Sequence, residues 1–215
     1  MGWYHIILML KRLLDIAASL IALVVLFVPM LAIAVAIRLE SPGGAVFRQR
    51  RAGRHGKPFT MLKFRTMRID SEPYGCSPQS QEDPRLTRVG RFLRESSMDE
   101  LPQFANVLAG QMSLVGPRPL YERQAAQWNV RQRRRLEVKP GLSGYAQAFG
   151  RGSNTLEQKL ELDVYYVEHE SFLLDMKIIF RTLANLLAGR GEVYEKRYSE
   201  AHQRESDHRE PKHHS

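Results

Sequence analysis

Residues 16–37 form an unbroken apolar run. In these 22 positions the only polar side chain is that of Ser19, with Lys11, Arg12 and Asp15 before the run and Arg38 and Glu40 after it. As one straight helix such a run is about 33 Å long at 1.5 Å per residue, enough for a bilayer core of roughly 30 Å. A buried helix of a water-soluble body is seldom apolar on every face for this length, so the run reads as a membrane segment. It exceeds the h-region of a signal peptide and is followed by arginines rather than a small-residue cleavage site, so it stays in the mature protein. Pro29, near the middle, removes one backbone hydrogen bond and crowds the carbonyl four residues back, which predicts a bend. Cations flank both ends: Lys11 and Arg12 before, then Arg38, Arg48, Arg50, Arg51, Arg54 and Lys57. Both flanks therefore prefer the cytoplasmic face. A helix that enters, breaks at Pro29 and returns satisfies this preference, and a kinked spanning helix with a short outer N-terminus is the competing arrangement. These residues alone do not choose between them.

Beyond the run, Ser41, Pro42, Gly43 and Gly44 make a turn cluster. Residues 59–67, FTMLKFRTM, alternate as a strand carrying Lys63 and Arg65. Residues 69–84 are polar and proline-rich, a loop. Val89, Phe92 and Leu93 fall at helical spacing within residues 89–97. A second helix is expected from Asp99 to before Gly110; with Asp99 as N-cap, Pro102 falls in the first turn, where its missing N–H is harmless, and Gly110 suits the left-handed position after the last turn. Residues 124–136 read as a basic helical stretch and residues 139–153 as glycine-rich loop. Residues 160–169 and 172–188 read as helices, the latter with Ser171 as N-cap and Gly189 as its stop. The stretch 199–215 has almost no apolar side chains and is expected to be disordered.

Average composition conceals this division. Of 215 residues 43% are hydrophobic and 26% charged, ordinary for a soluble chain, yet much of the apolar content of the first fifth sits in one block. Lys and Arg number 32 against 23 Asp and Glu, a net charge of +9, which calls for an anionic partner. The arginine runs at 48–54 and 131–135 come with no zinc, helix-turn-helix or RNP-type pattern, so nucleic acid is not expected; beside a membrane segment such charge meets anionic head groups. The single cysteine, Cys76, excludes a disulfide framework and thiolate metal clusters.

The chemistry is therefore carried by oxygen and nitrogen groups, and the informative stretch is residues 96–119, SSMDELPQFANVLAGQMSLVGPRP. Asp99 and Glu100 are adjacent carboxylates at an expected helix start. Helix capping alone would explain such a pair; its surroundings argue for more. Arg94 lies five residues upstream, Arg118 sits between Pro117 and Pro119, and Lys63 and Arg151 are further cations. Paired carboxylates among cations suit phosphate chemistry with a divalent ion: one carboxylate attacks phosphorus, the other helps hold Mg²⁺, and arginine forks hold phosphate oxygens.

The blocks KRLLDIAASLIALVVLFVPMLAIAVAIRLESPGGAVFRQRRAG, LKFRTM, SSMDELPQFANVLAGQMSLVGPRP, VKPGLSGYAQAFGR and ELDVYYVEHESFLLDMKIIF, in this order, resemble the bacterial sugar transferase family. Its members are small monotopic phosphoglycosyl transferases that begin glycan assembly on a polyprenol carrier. The resemblance runs from about residue 11 to about residue 188 and is most specific in DELPQ and GPRP. It implies transfer of a sugar 1-phosphate from a UDP-sugar to undecaprenyl phosphate with release of UMP, as the first membrane step of exopolysaccharide, O-antigen or glycoprotein glycan assembly. It implies that Asp99 is the nucleophile of a covalent phosphosugar intermediate and that Glu100 is its metal-assisting partner, with Mg²⁺ as cofactor held by both. Lys63, Arg94, Pro117, Arg118, Pro119 and Arg151 take substrate-binding positions; Asp163 also matches a family position, without a role.

The resemblance further implies an α/β, mostly helical fold. A re-entrant, proline-broken membrane helix occupies residues 1–40, a cytoplasmic catalytic domain with membrane-surface helices and a small sheet residues 41–190, and a C-terminal extension residues 191–215. The family breaks its helix at a Ser-Pro pair, and this chain has Val28-Pro29. The expected location is the bacterial inner membrane, with phospholipids as neighbours and a homo-oligomer among the admissible assemblies. Without an extra N-terminal membrane domain, the chain is expected among the short members. A non-catalytic membrane adaptor of a polysaccharide assembly complex is the alternative, against which the intact dyad, Arg118 and Arg151 argue.

Overall fold

The computed structural model describes residues 2–71, 78, 82–125, 128–150 and 154–188. Two helices open the chain, α1 (Gly2–Val25) and α2 (Phe27–Glu40), and meet at a bend of 60°. The bend begins four residues before Pro29, where physics puts it. Leu26 N–H still donates to Ala22 and Met30 N–H to Leu26, both at 2.8 Å, but Pro29 has no N–H to offer the Val25 carbonyl. Among the described residues no single helix is long and apolar enough to cross a membrane; the bent pair Met9–Val25 and Phe27–Glu40 qualifies only together. Its apolar side chains are largely uncovered: Leu13, Leu20, Ile21, Val24, Phe27, Val28, Leu31 and Val35 are all exposed.

The body behind this hairpin is mostly helical with two small sheets. β1 (Val46–Ala52) pairs antiparallel with β2 (Pro58–Phe64), and β3 (Ser113–Val115) pairs in parallel with β4 (Gly141–Ser143). Around them stand α3 (Arg88–Glu95), α4 (Gln103–Leu108), the short α5 (Glu122–Ala125), α6 (Val130–Arg133) and α7 (Tyr145–Phe149), then α8 (Leu156–Glu168) and α9 (Phe172–Leu187). Ile37, Phe64 and Leu93 form one core cluster, joining α2, β2 and α3; Val115, Ala148, Tyr166 and Ile178 form another under α8 and α9. Outside them, α9 exposes Phe172, Leu173, Phe180, Leu183 and Leu187.

Both arms of the hairpin are bolted to this body. On α1, Lys11 Nζ meets the Tyr166 hydroxyl at 2.5 Å, Glu170 at 2.8 Å and Asp175 at 3.0 Å. Arg12 donates to the Val107 and Leu108 carbonyls at 2.7 and 2.8 Å, satisfying the C-terminal end of α4. The Asp15 carboxylate accepts from Ser113 Oγ and Leu114 N–H at 3.0 and 2.8 Å. On α2, the buried Arg65 guanidinium caps the helix end through the carbonyls of Ser41 and Pro42, at 2.8 and 2.5 Å, and the Glu40 carboxylate accepts from Arg88 and Val89 N–H at the start of α3, at 2.6 and 2.9 Å.

Several local expectations change. Asp99 does not cap a helix: after Ser97, left-handed at φ 58°, Met98–Glu100 form a 3-10 turn and α4 starts only at Gln103, with Pro102 at its N-cap. Lacking an N–H, Pro102 cannot close a bond to Met98, so the turn tightens into three-residue steps, Glu100 to Ser97 and Leu101 to Met98. Residues 124–136 are not one helix; Asn129 and Gln132 form a capping box that restarts the chain as α6, followed by a 3-10 turn, Arg134–Leu136. The glycine-rich stretch holds β4 and α7, because β4 is defined by pairing with distant β3, which no local pattern announces. The last two helices hold, α8 beginning earlier at a Thr155–Gln158 capping box and α9 at Ser171, whose side chain accepts from Leu174 N–H. Gly110 has the expected left-handed φ of 80°. Arg151, Cys76 and the tail 191–215 lie outside the described residues.

Candidate active site

Three chain segments bring the candidate residues together. β2 carries Lys63, the 3-10 turn carries Asp99 and Glu100, and the turn after β3 carries Arg118. Lys63 Nζ lies 2.7 Å from Glu100 Oε1 and 4.0 Å from Asp99 Oδ2. Arg118 Nη2 reaches the same Glu100 oxygen at 2.9 Å. Side chains of the dyad are 13% and 18% exposed, open enough to meet a ligand and sheltered enough for charge to count.

Each participant is positioned from behind. The buried Asn106 on α4 accepts from Leu62 N–H at 2.9 Å and donates to the Thr60 carbonyl at 2.7 Å, tying the helix after the dyad to the strand that carries Lys63. Arg94, in the last turn of α3, gives its carbonyl to Ser97 N–H at 3.2 Å, at the entry to the dyad turn, and its charge is also felt by Asp83. Pro117 and Pro119 stiffen the chain on either side of Arg118, and the Pro117 carbonyl accepts from Gly141 N–H at 2.9 Å. Beside this turn lies a shallow open recess walled by Gly53, Pro117, Arg118, Pro119, Arg135 and Pro140 among others.

Sequence reasoning missed Arg135. It is 3% exposed, donates to Asp163 Oδ2 at 2.7 and 3.2 Å and to the Arg118 carbonyl at 2.5 Å, and lies 4.7 Å from the Trp128 ring centre. Burial pushes the Asp163 carboxyl up, against the pull of the Arg135 and Arg118 charges. Asp163 Oδ1 has no hydrogen-bond partner. Within the run at 131–135 nothing local marks Arg135 as the buried member. Deeper in the body burial also pushes Asp175 up, opposed by Lys11, and Tyr166 is raised by the same burial and by the carboxylates around it.

Among the described residues no group of three or more His, Cys, Asp or Glu side chains is placed to hold a metal ion. Two adjacent carboxylates suit an ion that keeps several waters and takes its remaining ligands from substrate phosphates, which is the habit of Mg²⁺.

Carboxylates and cations converging on one accessible point are the equipment of an enzyme that transfers a group, and comparison with known proteins agrees. The chain belongs to the bacterial sugar transferase family, whose pattern matches residues 6–189. It is 44% identical over 182 residues to the uncharacterized sugar transferase EpsL of Bacillus subtilis, covering 85% of this chain and 89% of that one. It is also 44% identical to the UDP-glucose:undecaprenyl-phosphate glucose-1-phosphate transferase of Caulobacter vibrioides, covering 82% of this chain and 69% of that one. With the Escherichia coli protein of the same description it shares 41% over 187 residues, only 39% of that longer chain.

Proposed function

We propose that this transferase moves a sugar 1-phosphate from a UDP-sugar to undecaprenyl phosphate in two displacements, with Asp99 as the nucleophile. The observation that carries the reading is the meeting of Lys63 and Arg118 on Glu100, directly beside Asp99. Lys63 and Arg118, drawn together at the dyad, offer N–H donors to the donor's phosphate oxygens beside the attacking carboxylate. In the first step an Asp99 oxygen bonds to the sugar-bearing phosphorus and the bond from that phosphorus to the UMP oxygen breaks, releasing UMP. In the second, a phosphate oxygen of undecaprenyl phosphate bonds to the same phosphorus, the Asp99 bond breaks, and undecaprenyl diphosphate sugar leaves with the carboxylate restored. Asp99 and Glu100 would hold Mg²⁺, which supplies screening of phosphate charge. Incubation with labelled UDP-sugar and Mg²⁺ in the absence of acceptor leaves a phosphosugar on Asp99; turnover without that adduct overturns the covalent route. Relatives named for different sugars, glucose and N-acetylgalactosamine, make a panel of UDP-sugars in a UMP-release assay the way to read the donor.

The bent hairpin is read as re-entrant in the cytoplasmic leaflet of the bacterial inner membrane. Its two ends are held by one body, Lys11, Arg12 and Asp15 on one arm and Glu40 and the α2 terminus on the other. Arms of about 15 residues, roughly 22 Å each, with a 60° bend, put the apex about 11 Å from the line joining their ends, short of the roughly 15 Å half-thickness of the core. The exposed Phe172, Leu173, Phe180 and Leu187 support a membrane-surface role for α9. In a Cys76→Ser background, cysteines placed at Leu10 and Ser41 should both be labelled by an impermeant maleimide in inverted vesicles and neither in spheroplasts. Labelling of position 10 from the outer side overturns the re-entrant reading.

A further inference from the structure

We infer that the buried Arg135–Asp163 pair is a positioning device for Arg118, acting through the backbone of the Pro117-Arg118-Pro119 turn. The inference rests on the reading of Arg118 and Glu100 as site residues. Two peptide planes flank Arg118. The one before it is held by Gly141 N–H on the Pro117 carbonyl, at 2.9 Å; the one after it is held by Arg135 Nη2 on the Arg118 carbonyl, at 2.5 Å. With both planes fixed, φ and ψ of Arg118 are fixed, and so is the direction in which its side chain leaves the turn toward Glu100, 2.9 Å from its Nη2. Arg135 in turn has its orientation set by Asp163, through Nε at 3.2 Å and Nη2 at 2.7 Å, and by the Trp128 ring.

Stability alone does not account for the pair. Replacing a buried ion pair by apolar side chains of similar volume is often neutral or stabilising, and this one is incompletely satisfied, since Asp163 Oδ1 has no partner. What the guanidinium provides is a planar fork, with Nε and Nη2 on the Asp163 carboxylate and Nη2 also on the Arg118 carbonyl, an orientation that a flexible point charge does not hold. Loss of the fork lets the second peptide plane rotate, and small misplacements of a binding group have large kinetic consequences.

The test is a double-mutant cycle on kcat/KM for UMP release, with the 215-residue chain in nanodiscs. Arg135→Met/Asp163→Leu should melt within a few degrees of wild type and lose roughly 10- to 100-fold in kcat/KM, and Arg135→Lys should not restore the loss. Placed in an Arg118→Lys background, which is itself impaired, the same pair of changes should cause less than about a twofold further loss. Losses that multiply, or a double variant with unimpaired activity, overturn the inference. Should that double variant fail to fold, Asp163→Asn enters the cycle in its place with the same two outcomes. An Arg118→Lys enzyme as active as wild type would instead sink the site reading on which the inference stands.

Discussion

Replacing Lys11 by Met removes the cation that joins the apolar hairpin to Glu170 and Asp175 of the body. Lys11 is 16% exposed at its side chain, Glu170 12% and Asp175 8%, at 2.8 and 3.0 Å from its nitrogen. Without it, two sheltered carboxylates face each other with the Tyr166 hydroxyl, 2.7 Å from Asp175, as the principal remaining donor. Breaking one partner of a buried pair costs about 3–5 kcal/mol. A ceiling applies here, because the stranded carboxyl can take up a proton. From an unfolded value near 3.9, protonation at pH 7 costs about 4 kcal/mol, and at pH 5 only about 1.5 kcal/mol.

The sign follows. Burial already raises folded Asp175 above its ordinary value, so its contribution is complete below about pH 4 and is lost as pH rises through the higher folded value. Removing Lys11 lifts that folded value further, so the deficit of the variant grows with pH. At 2–4 °C per kcal/mol for a chain of this size, Lys11→Met should lower the melting temperature in nanodiscs by about 6–20 °C at pH 7.5 and by no more than about half of that at pH 5. Adding Asp175→Asn should recover part of the loss. An equal deficit at both pH values, or less than about 2 °C at pH 7.5, would refute the reasoning.

Asp99→Asn should leave the melting temperature near that of wild type and reduce turnover by about 10³-fold or more, since an amide does not attack phosphorus; UMP release with and without acceptor checks it. Gly90→Ala should destabilise by about 3 kcal/mol or more, because its Cβ would stand 2.0 Å from the Thr66 carbonyl oxygen, a backbone atom; a melting temperature within about 3 °C of wild type would contradict that packing. Arg65→Met should uncap α2 and loosen its end, read as faster trypsin cleavage at Arg38 in nanodiscs with little change in the rest of the digest.

Local chemistry explains what could be read early. Pro29 bends the apolar run because the loss of an N–H acts four residues away, whatever surrounds it. Ser171 starts α9 and Gly110 ends α4 for equally local reasons. The candidate carboxylates and cations stood out as residue types in company, and Lys63, Glu100 and Arg118 do converge, although they come from three segments. Asp99 illustrates the limit: its place in a 3-10 turn depends on how Pro102 resolves its missing bond.

By itself, then, the sequence determined an apolar run bent near Pro29, a basic body and a dyad among cations, all of which follow from side-chain chemistry and short-range backbone rules. Only the tertiary structure decided which charges are partners. Arg135 differs from Arg131, Arg133 and Arg134 solely in being packed against Asp163, Trp128 and the Arg118 carbonyl. Lys11 differs from Lys57, the other flanking lysine, in facing Glu170 and Asp175. Such pairings span up to 164 residues of chain, and their energy comes from burial shared by both partners, a quantity that no local window of sequence contains.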